Sequence, residues 1–236
     1  MSSDQQQPQT QPNQQAHQNQ RLAESARYAL LRRLAPALRH NMAGALQPLN
    51  MMSILLEKRL QNPSPDLVAV VKNSSQLNKA SNEASKACMD VVTWLAPNTS
   101  DFVTVTQAIE DAAKLVATEF SFKGLTLFNH TADMQVELPR SLTRTVFMAA
   151  LLALTDAALS PAHVVIKARL DAETLLLTIS LEPAPNELVN TSLSEPAYRK
   201  LDWADVKVLA EAESVHFACT AQKVALGFAL RLLRLV

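Results

Sequence analysis

The first third of the chain carries apolar residues at alternating spacings of three and four, which is the pattern of a helix that buries one stripe. The residues that form this stripe are Leu31, Ala35, Leu38, Met42, Ala45, Leu49, Met52 and Leu56. Leucines on both flanks widen the stripe, namely Leu30, Leu34, Leu46 and Leu55. A helix with so broad an apolar face needs more than one helical partner.

A break follows at residues 62–66, which read Asn-Pro-Ser-Pro-Asp, and Asp66 is placed to cap the next helix. A second stripe then runs to residue 95 and is small and polar in its middle. Its members are Val70, Ser74, Leu77, Ser81, Ala84, Cys88, Val91 and Leu95. Two long helices joined by a short loop predict an antiparallel hairpin over residues 22–96. Their broad stripes predict that two chains pair into a four-helix bundle.

Beyond residue 97 the periodicity changes, and short strands alternate with helices. Strands are predicted at 103–105, 125–128, 163–169 and 174–181, and two more around 215–219 and 224–232. Helices are predicted at 106–119, 141–159 and 202–213. This alternation predicts a two-layer α/β domain over residues 97–236. The overall expectation is therefore a helical hairpin followed by an α/β domain.

Composition narrows the class of protein. The chain has 22 basic and 22 acidic side chains, a balance that argues against a nucleic-acid partner held by a basic surface. Residues 1–21 are rich in glutamine and predict a disordered tail. No apolar run is long enough to span a bilayer, and no signal segment is visible. Cys88 and Cys219 indicate neither a disulfide nor a zinc site, so we expect a cytoplasmic protein without a metal.

His40 is the candidate reactive residue of the chain. At about 100° per residue it lies on the side of the helix opposite Leu38 and Met42, so its imidazole is expected to face water. Gly44 and Gln47 follow on the same side, and Pro48 removes a helical hydrogen bond and is expected to bend the helix. An exposed imidazole on a rigid helix can accept a phosphoryl group. The alternative is that His40 is a surface histidine without a functional role.

The segment around His40 resembles a known family. Residues 38–52, LRHNMAGALQPLNMM, resemble the phosphoacceptor box of sensor histidine kinases. The order of elements after the hairpin resembles the ATP-binding domain of the same family, so the resemblance covers residues 22–236. It implies that His40 is the phosphoacceptor. It also implies supporting or docking positions at Arg39, Asn41, Gly44, Gln47 and Pro48.

The chain departs from the family where its ATP chemistry would lie. Asn41 stands where the family usually has an acidic residue that serves as the base. Ala153 and Ala157 fall where its magnesium-binding asparagines would be, and residues 180–185 and 202–205 replace its two glycine boxes. The only glycines are Gly44, Gly124 and Gly227, too far apart for a phosphate-binding loop. The resemblance therefore implies a degenerate ATPase-like domain that binds neither ATP, nor another cofactor, nor a metal.

Two functions fit this reading. In the first, the chain is a histidine phosphotransfer protein that exchanges a phosphoryl group between His40 and the aspartates of response regulator receiver domains. Arg32, Arg33 and Arg39 could then steer an acidic receiver pocket toward the histidine. In the second, the chain is a catalytically inactive pseudo-histidine-kinase that serves as a dimeric interaction or regulatory module. An active kinase with an aberrant nucleotide site is a third possibility.

Overall fold

A computed structural model describes residues 11–95, 100–132, 134–158, 161–171, 173–184 and 200–235. Two long helices, α1 (Gln11–Leu60) and α2 (Leu67–Leu95), form the predicted antiparallel hairpin. Asp66 caps α2 as expected, because its Oδ1 accepts a hydrogen bond of 3.1 Å from the backbone N–H of Ala69. No described helix is both long enough and apolar enough to cross a membrane.

The first helix begins earlier than its apolar pattern predicts. Residues 11–21 are helical, which corrects the disorder predicted for this part of residues 1–21. Residues 1–10 lie outside the described part of the chain. Glutamine has a favourable helix propensity, and the helix extends backward from a turn anchored by Ala23 and Ala26, which are both buried. Residues 14–22 are exposed, so this extension buries no apolar surface.

The predicted stripe is half-buried on α1 except at Ala35, which is exposed, and it shifts on α2. The stripe members of α1 from Leu38 to Leu56 are half-buried, as expected of residues that contact α2. On α2, however, Ser74 and Ser81 are exposed. The residues one position earlier, Asn73 and Ala80, are buried in their place, at 4% and 8% exposure. Spacing alone could not distinguish these neighbouring registers, because both serines are small and lie beside the true stripe.

The α/β domain contains four helices and eight strands among the described residues. Its helices are α3 (Val105–Phe122), α4 (Arg140–Leu142), α5 (Met148–Asp156) and α6 (Trp203–Ala212). A π-helical turn, Thr143–Phe147, joins α4 to α5 without a break. The first four strands are β1 (Phe102–Thr104), β2 (Leu125–His130), β3 (Val136–Pro139) and β4 (Ala162–Asp171). The others are β5 (Thr174–Pro183), β6 (His216–Cys219), β7 (Lys223–Ala229) and β8 (Arg234–Leu235).

The strands form two sheets. The larger has the order β2-β4-β5-β7-β6, in which β2 and β4 are parallel and the other pairs are antiparallel. The smaller has the order β1-β3-β8 and is antiparallel throughout. The sequence did not predict β3 and β8, because strands of four and two residues are too short to show alternation.

One hydrophobic core joins the hairpin to the α/β domain. All nine residues of α5 are buried, and the helix packs against the inner face of the larger sheet. Leu30 and Leu34 of α1 are only 2% and 1% exposed and belong to the same cluster as α5. The flanking leucines of the predicted stripe therefore have a second role. They fix the α/β domain against the lower part of α1, one to three turns before His40.

Candidate functional site

His40 lies on the exposed surface of α1. No hydrogen bond, ion pair or ring contact connects its side chain to another described residue. Gly44, one turn further along, leaves open space beside it, because a Cβ built at this glycine would meet no atom within 4 Å. The imidazole is therefore accessible to a partner molecule, and nothing in the described structure competes for its nitrogen atoms.

The other predicted site residues surround this histidine on the same helix. Arg39, Asn41, Gln47 and Pro48 are all exposed. The helix continues through Pro36 and Pro48 to Leu60. The segment therefore presents a continuous helical surface, and each of the predicted positions can be reached from solvent.

Arg33 does not belong to this surface, which corrects its predicted steering role. Its side chain is 5% exposed and forms two hydrogen bonds with Asp156, from Nε to Oδ2 at 2.9 Å and from Nη2 to Oδ1 at 2.7 Å. It also binds both carboxylate oxygens of Glu119. Lys123 completes the cluster, with its Nζ 2.7 Å from Asp156 and 2.8 Å from Glu119. We call these four residues the Arg33 cluster.

The charged side chains of the Arg33 cluster stabilise one another in their ionised forms. Burial opposes the ionisation of Asp156, but hydrogen bonds and charges from Arg33 and Lys123 outweigh it and hold the pKa below its ordinary value of 3.8. The same balance lowers the pKa of Glu119 from 4.5. Burial likewise disfavours the charged guanidinium of Arg33, yet the two carboxylates raise its pKa. Arg33, Glu119 and Asp156 are therefore charged at neutral pH.

This balance predicts a loss of stability in acid. Both carboxylates have a lower pKa in the folded chain than in the unfolded one. Their contribution is therefore complete above the ordinary values of 3.8 and 4.5 and disappears as the pH falls through the folded values. We expect the urea midpoint of unfolding to drop between about pH 5 and pH 2. The drop should be smaller in Arg33→Met, and equal pH profiles for the two proteins would contradict this assignment.

The segments in place of the nucleotide boxes have structural roles. Ala153 is 4% exposed and belongs to the core, whereas Ala157 lies just after α5 and is exposed. Asp202 and Asp205 form a capping box at the start of α6, in which the side chain of each accepts from the backbone N–H of the other. The first residues of 180–185 end β5, and residue 185 lies outside the described chain.

A cleft of about 750 Å³ opens beside the His40 segment, between the hairpin and the α/β domain. We call it the α2–α3 cleft; its lining includes Asn41, Met42, Lys86, Ala112, Lys114 and Arg144. Arg144 comes from the π-helical turn, a feature often found at functional sites. Its guanidinium lies 5.1 Å from the ring centre of Trp94 and 3.6 Å from Asp90, and it donates to the hydroxyl of Thr93. Burial and the neighbouring Arg140 lower the pKa of Arg144.

Sequence reasoning missed both the Arg33 cluster and the cleft. One signal for the cluster was present, since Asp156 ends a helix that is otherwise almost entirely apolar. A carboxylate in such a helix needs a charged or hydrogen-bonding partner. The partner itself could not be identified, because Arg33 is 123 residues away in the chain. The cleft had no signal at all, since its walls come from helices that are distant in sequence.

No model of a protein family matches the chain. No curated protein matches it either. Several solved structures are similar to the chain.

The histidine kinase AdeS of Acinetobacter baumannii is 15% identical, covers 77% of this chain and 96% of its own, and has a TM-score of 0.41. A histidine kinase from Burkholderia phymatum is 17% identical over 84% of this chain and 95% of its own, with a TM-score of 0.38. The histidine kinase ThkA in complex with the response regulator protein TrrA is 15% identical over 90% of this chain and 65% of its own, with a TM-score of 0.38. These similarities are all to histidine kinases, and they are distant.

Proposed function

We propose that the chain is a histidine phosphotransfer protein, in which His40 exchanges a phosphoryl group with the aspartates of receiver domains. The single observation that carries this proposal is the unobstructed imidazole of His40 on a helix that the α/β domain holds in place. A relay of this kind needs an accessible nucleophile on a rigid support. The segment that resembles a phosphoacceptor box supplies both.

The proposed transfer requires little from this chain. A neutral imidazole nitrogen of His40 attacks the phosphorus of an aspartyl phosphate, so that a P–N bond forms and the P–O bond to the aspartate breaks. The leaving group is the receiver's carboxylate, and the receiver supplies its own magnesium. A base at position 41 is therefore unnecessary, which fits the presence of Asn41. The reverse transfer follows the same path.

We further propose that two copies pair through their hairpins. Apolar side chains on the outer surface of the hairpin support this proposal. On α2, Leu67 and Val71 are 67% and 69% exposed, and Met89 and Val92 are 60% and 50% exposed. Apolar side chains at such spacings on a helix are typical of a helix–helix interface. The four-helix bundle would add two helices of the partner copy to the support of each His40.

The first test is transfer from phosphorylated receiver domains to the full chain. We expect the label to appear on the protein as acid-labile, base-stable phosphate, and to be absent from His40→Gln. His17→Gln is the matched control, because His17 is a second exposed histidine on the same helix, and it should behave like the wild type. Transfer that survives in His40→Gln would refute the proposal. Tight receiver binding without any transfer would favour the inactive pseudokinase.

A further inference from the structure

The α2–α3 cleft combines apolar walls with charges at its edges. The apolar side chains belong to three helices, since Met42 comes from α1, Val91 from α2 and Leu115 from α3. Trp94 and Met148 add to this apolar lining. A cleft of about 750 Å³ lies within the range of sites that bind small organic molecules, about 300–1,000 Å³.

The charges of the cleft are unequally paired. Arg140 holds two of the carboxylates, because its Nε lies 2.7 Å from Asp101 and its Nη1 lies 3.0 Å from Asp111. Arg144 faces the third carboxylate, that of Asp90.

Two further lysines line the cleft from opposite walls, Lys86 on α2 and Lys114 on α3. Neither has an ion pair with any residue that the structure describes. Four basic side chains and three acidic ones give the lining a net charge of +1, and the two lysines are its basic groups without a described ion pair.

We propose that the α2–α3 cleft binds an organic anion with an apolar body, whose carboxylate or phosphate group lies between Lys86 and Lys114. The apolar body would contact the walls, and the anionic group would receive charge-assisted hydrogen bonds from lysines that form no ion pair with a described residue. A flat apolar group could also lie against the ring of Trp94. The ligand would bridge the hairpin and the α/β domain.

The position of the cleft gives this ligand a consequence for His40. Asn41, the next residue along α1, lines the cleft. A bound molecule would therefore lie beside the surface that a receiver domain must approach. This inference stands on the cleft alone and does not require that His40 is phosphorylated.

Binding can be measured with anilinonaphthalene sulfonate, which joins a sulfonate to an apolar aromatic body. The chain has two tryptophans, so Trp203→Phe leaves Trp94 as the only one and makes its emission a reporter for the cleft. We expect saturable quenching of Trp94 with one probe per chain. In this background, Lys86→Gln and Lys114→Gln should each weaken binding roughly tenfold, the loss expected for one charge-assisted hydrogen bond.

Matched variants and competitors decide the outcome. Lys58→Gln and Lys79→Gln remove exposed lysines that do not line the cleft, and they should leave the affinity unchanged. Ala87→Phe should block the cleft sterically while both lysines remain and Trp94 stays the only tryptophan. Displacement of the probe by decanoate would identify a carboxylate ligand, and displacement by adenosine triphosphate a phosphate ligand. Failure of both competitors, or equal affinities in the cleft and control variants, would overturn the inference.

Discussion

Replacing Arg33 with methionine is expected to lower the free energy of unfolding by about 3 kcal/mol. The substitution keeps an extended apolar side chain but removes the guanidinium, so that the carboxylate of Asp156 stays buried without its main partner. Removing one member of a buried ion pair typically costs about 3–5 kcal/mol. We expect the lower end of this range, because Lys123 stays 2.7 Å from Asp156 and compensates part of the lost charge.

Urea unfolding monitored by circular dichroism measures this effect. Arg21→Met is a suitable control, since Arg21 is an exposed arginine on the same helix and its loss should change stability by less than about 0.5 kcal/mol. The double variant Arg33→Met with Asp156→Leu should be more stable than Arg33→Met alone, because no unpaired carboxylate then stays buried at this position. An Arg33→Met protein within 1 kcal/mol of the wild type would show that the cluster does not hold the domain.

The Arg33 cluster also explains how the α/β domain can support a site that it does not form. Arg33 precedes His40 by seven residues, which is two helical turns or about 10 Å along α1 on nearly the same face. Glu119 and Lys123 come from the end of α3, and Asp156 comes from the end of α5. Two helices of the domain, α3 and α5, therefore meet α1 just below the histidine. They restrict both the position of the domain and the bending of the helix there.

The sequence predicted the hairpin and most of the α/β order because these depend on periodicity within short windows. Arg33 shows where such reasoning ends. It follows Arg32 in a basic segment, and this pattern is typical of a solvated surface. Its burial depends on Glu119 and Asp156, which lie 86 and 123 residues away and which no local pattern connects to it. The helical structure of residues 11–21 was missed for a related reason, since it is continued from a helix that is anchored further along.

The exposure of His40 could be predicted, but its surroundings could not. On a regular helix, the position of a residue in the sequence determines the direction of its side chain. The stripe through Leu38 and Met42 was therefore sufficient to place the imidazole of His40 in solvent. The α2–α3 cleft depends instead on how far the α/β domain stands from α2. That distance is set by the contacts of α1 with α3 and α6. It follows from tertiary packing and leaves no pattern in the residues that line the cleft.

The proposed pairing of two hairpins predicts the second large effect. Four exposed apolar residues of α2 lie on one stripe, with small polar residues between them. The stripe consists of Leu67, Val71, Ser74, Asn78, Ser81, Ser85, Met89 and Val92. Its spacings of three and four match a coiled-coil seam, and its small central residues allow two helices to approach closely. We expect the wild-type chain to be a dimer in solution through this stripe.

The combined substitutions Val71→Glu and Met89→Glu should convert this dimer into a monomer. Two-fold symmetry places each new carboxylate in the interface twice, and like charges brought together in an interface cost several kcal/mol. The dissociation constant should therefore rise at least about 100-fold, as measured by sedimentation or by light scattering after size-exclusion chromatography.

Val68→Glu is the matched control, because Val68 is 81% exposed on the same helix but lies off the stripe, and this variant should stay dimeric. A monomeric wild type, or a dimer that survives both glutamates, would contradict the pairing. If the double glutamate variant is monomeric, phosphoryl transfer to its His40 would show that one hairpin, held by the Arg33 cluster, is rigid enough for the transfer without a partner copy.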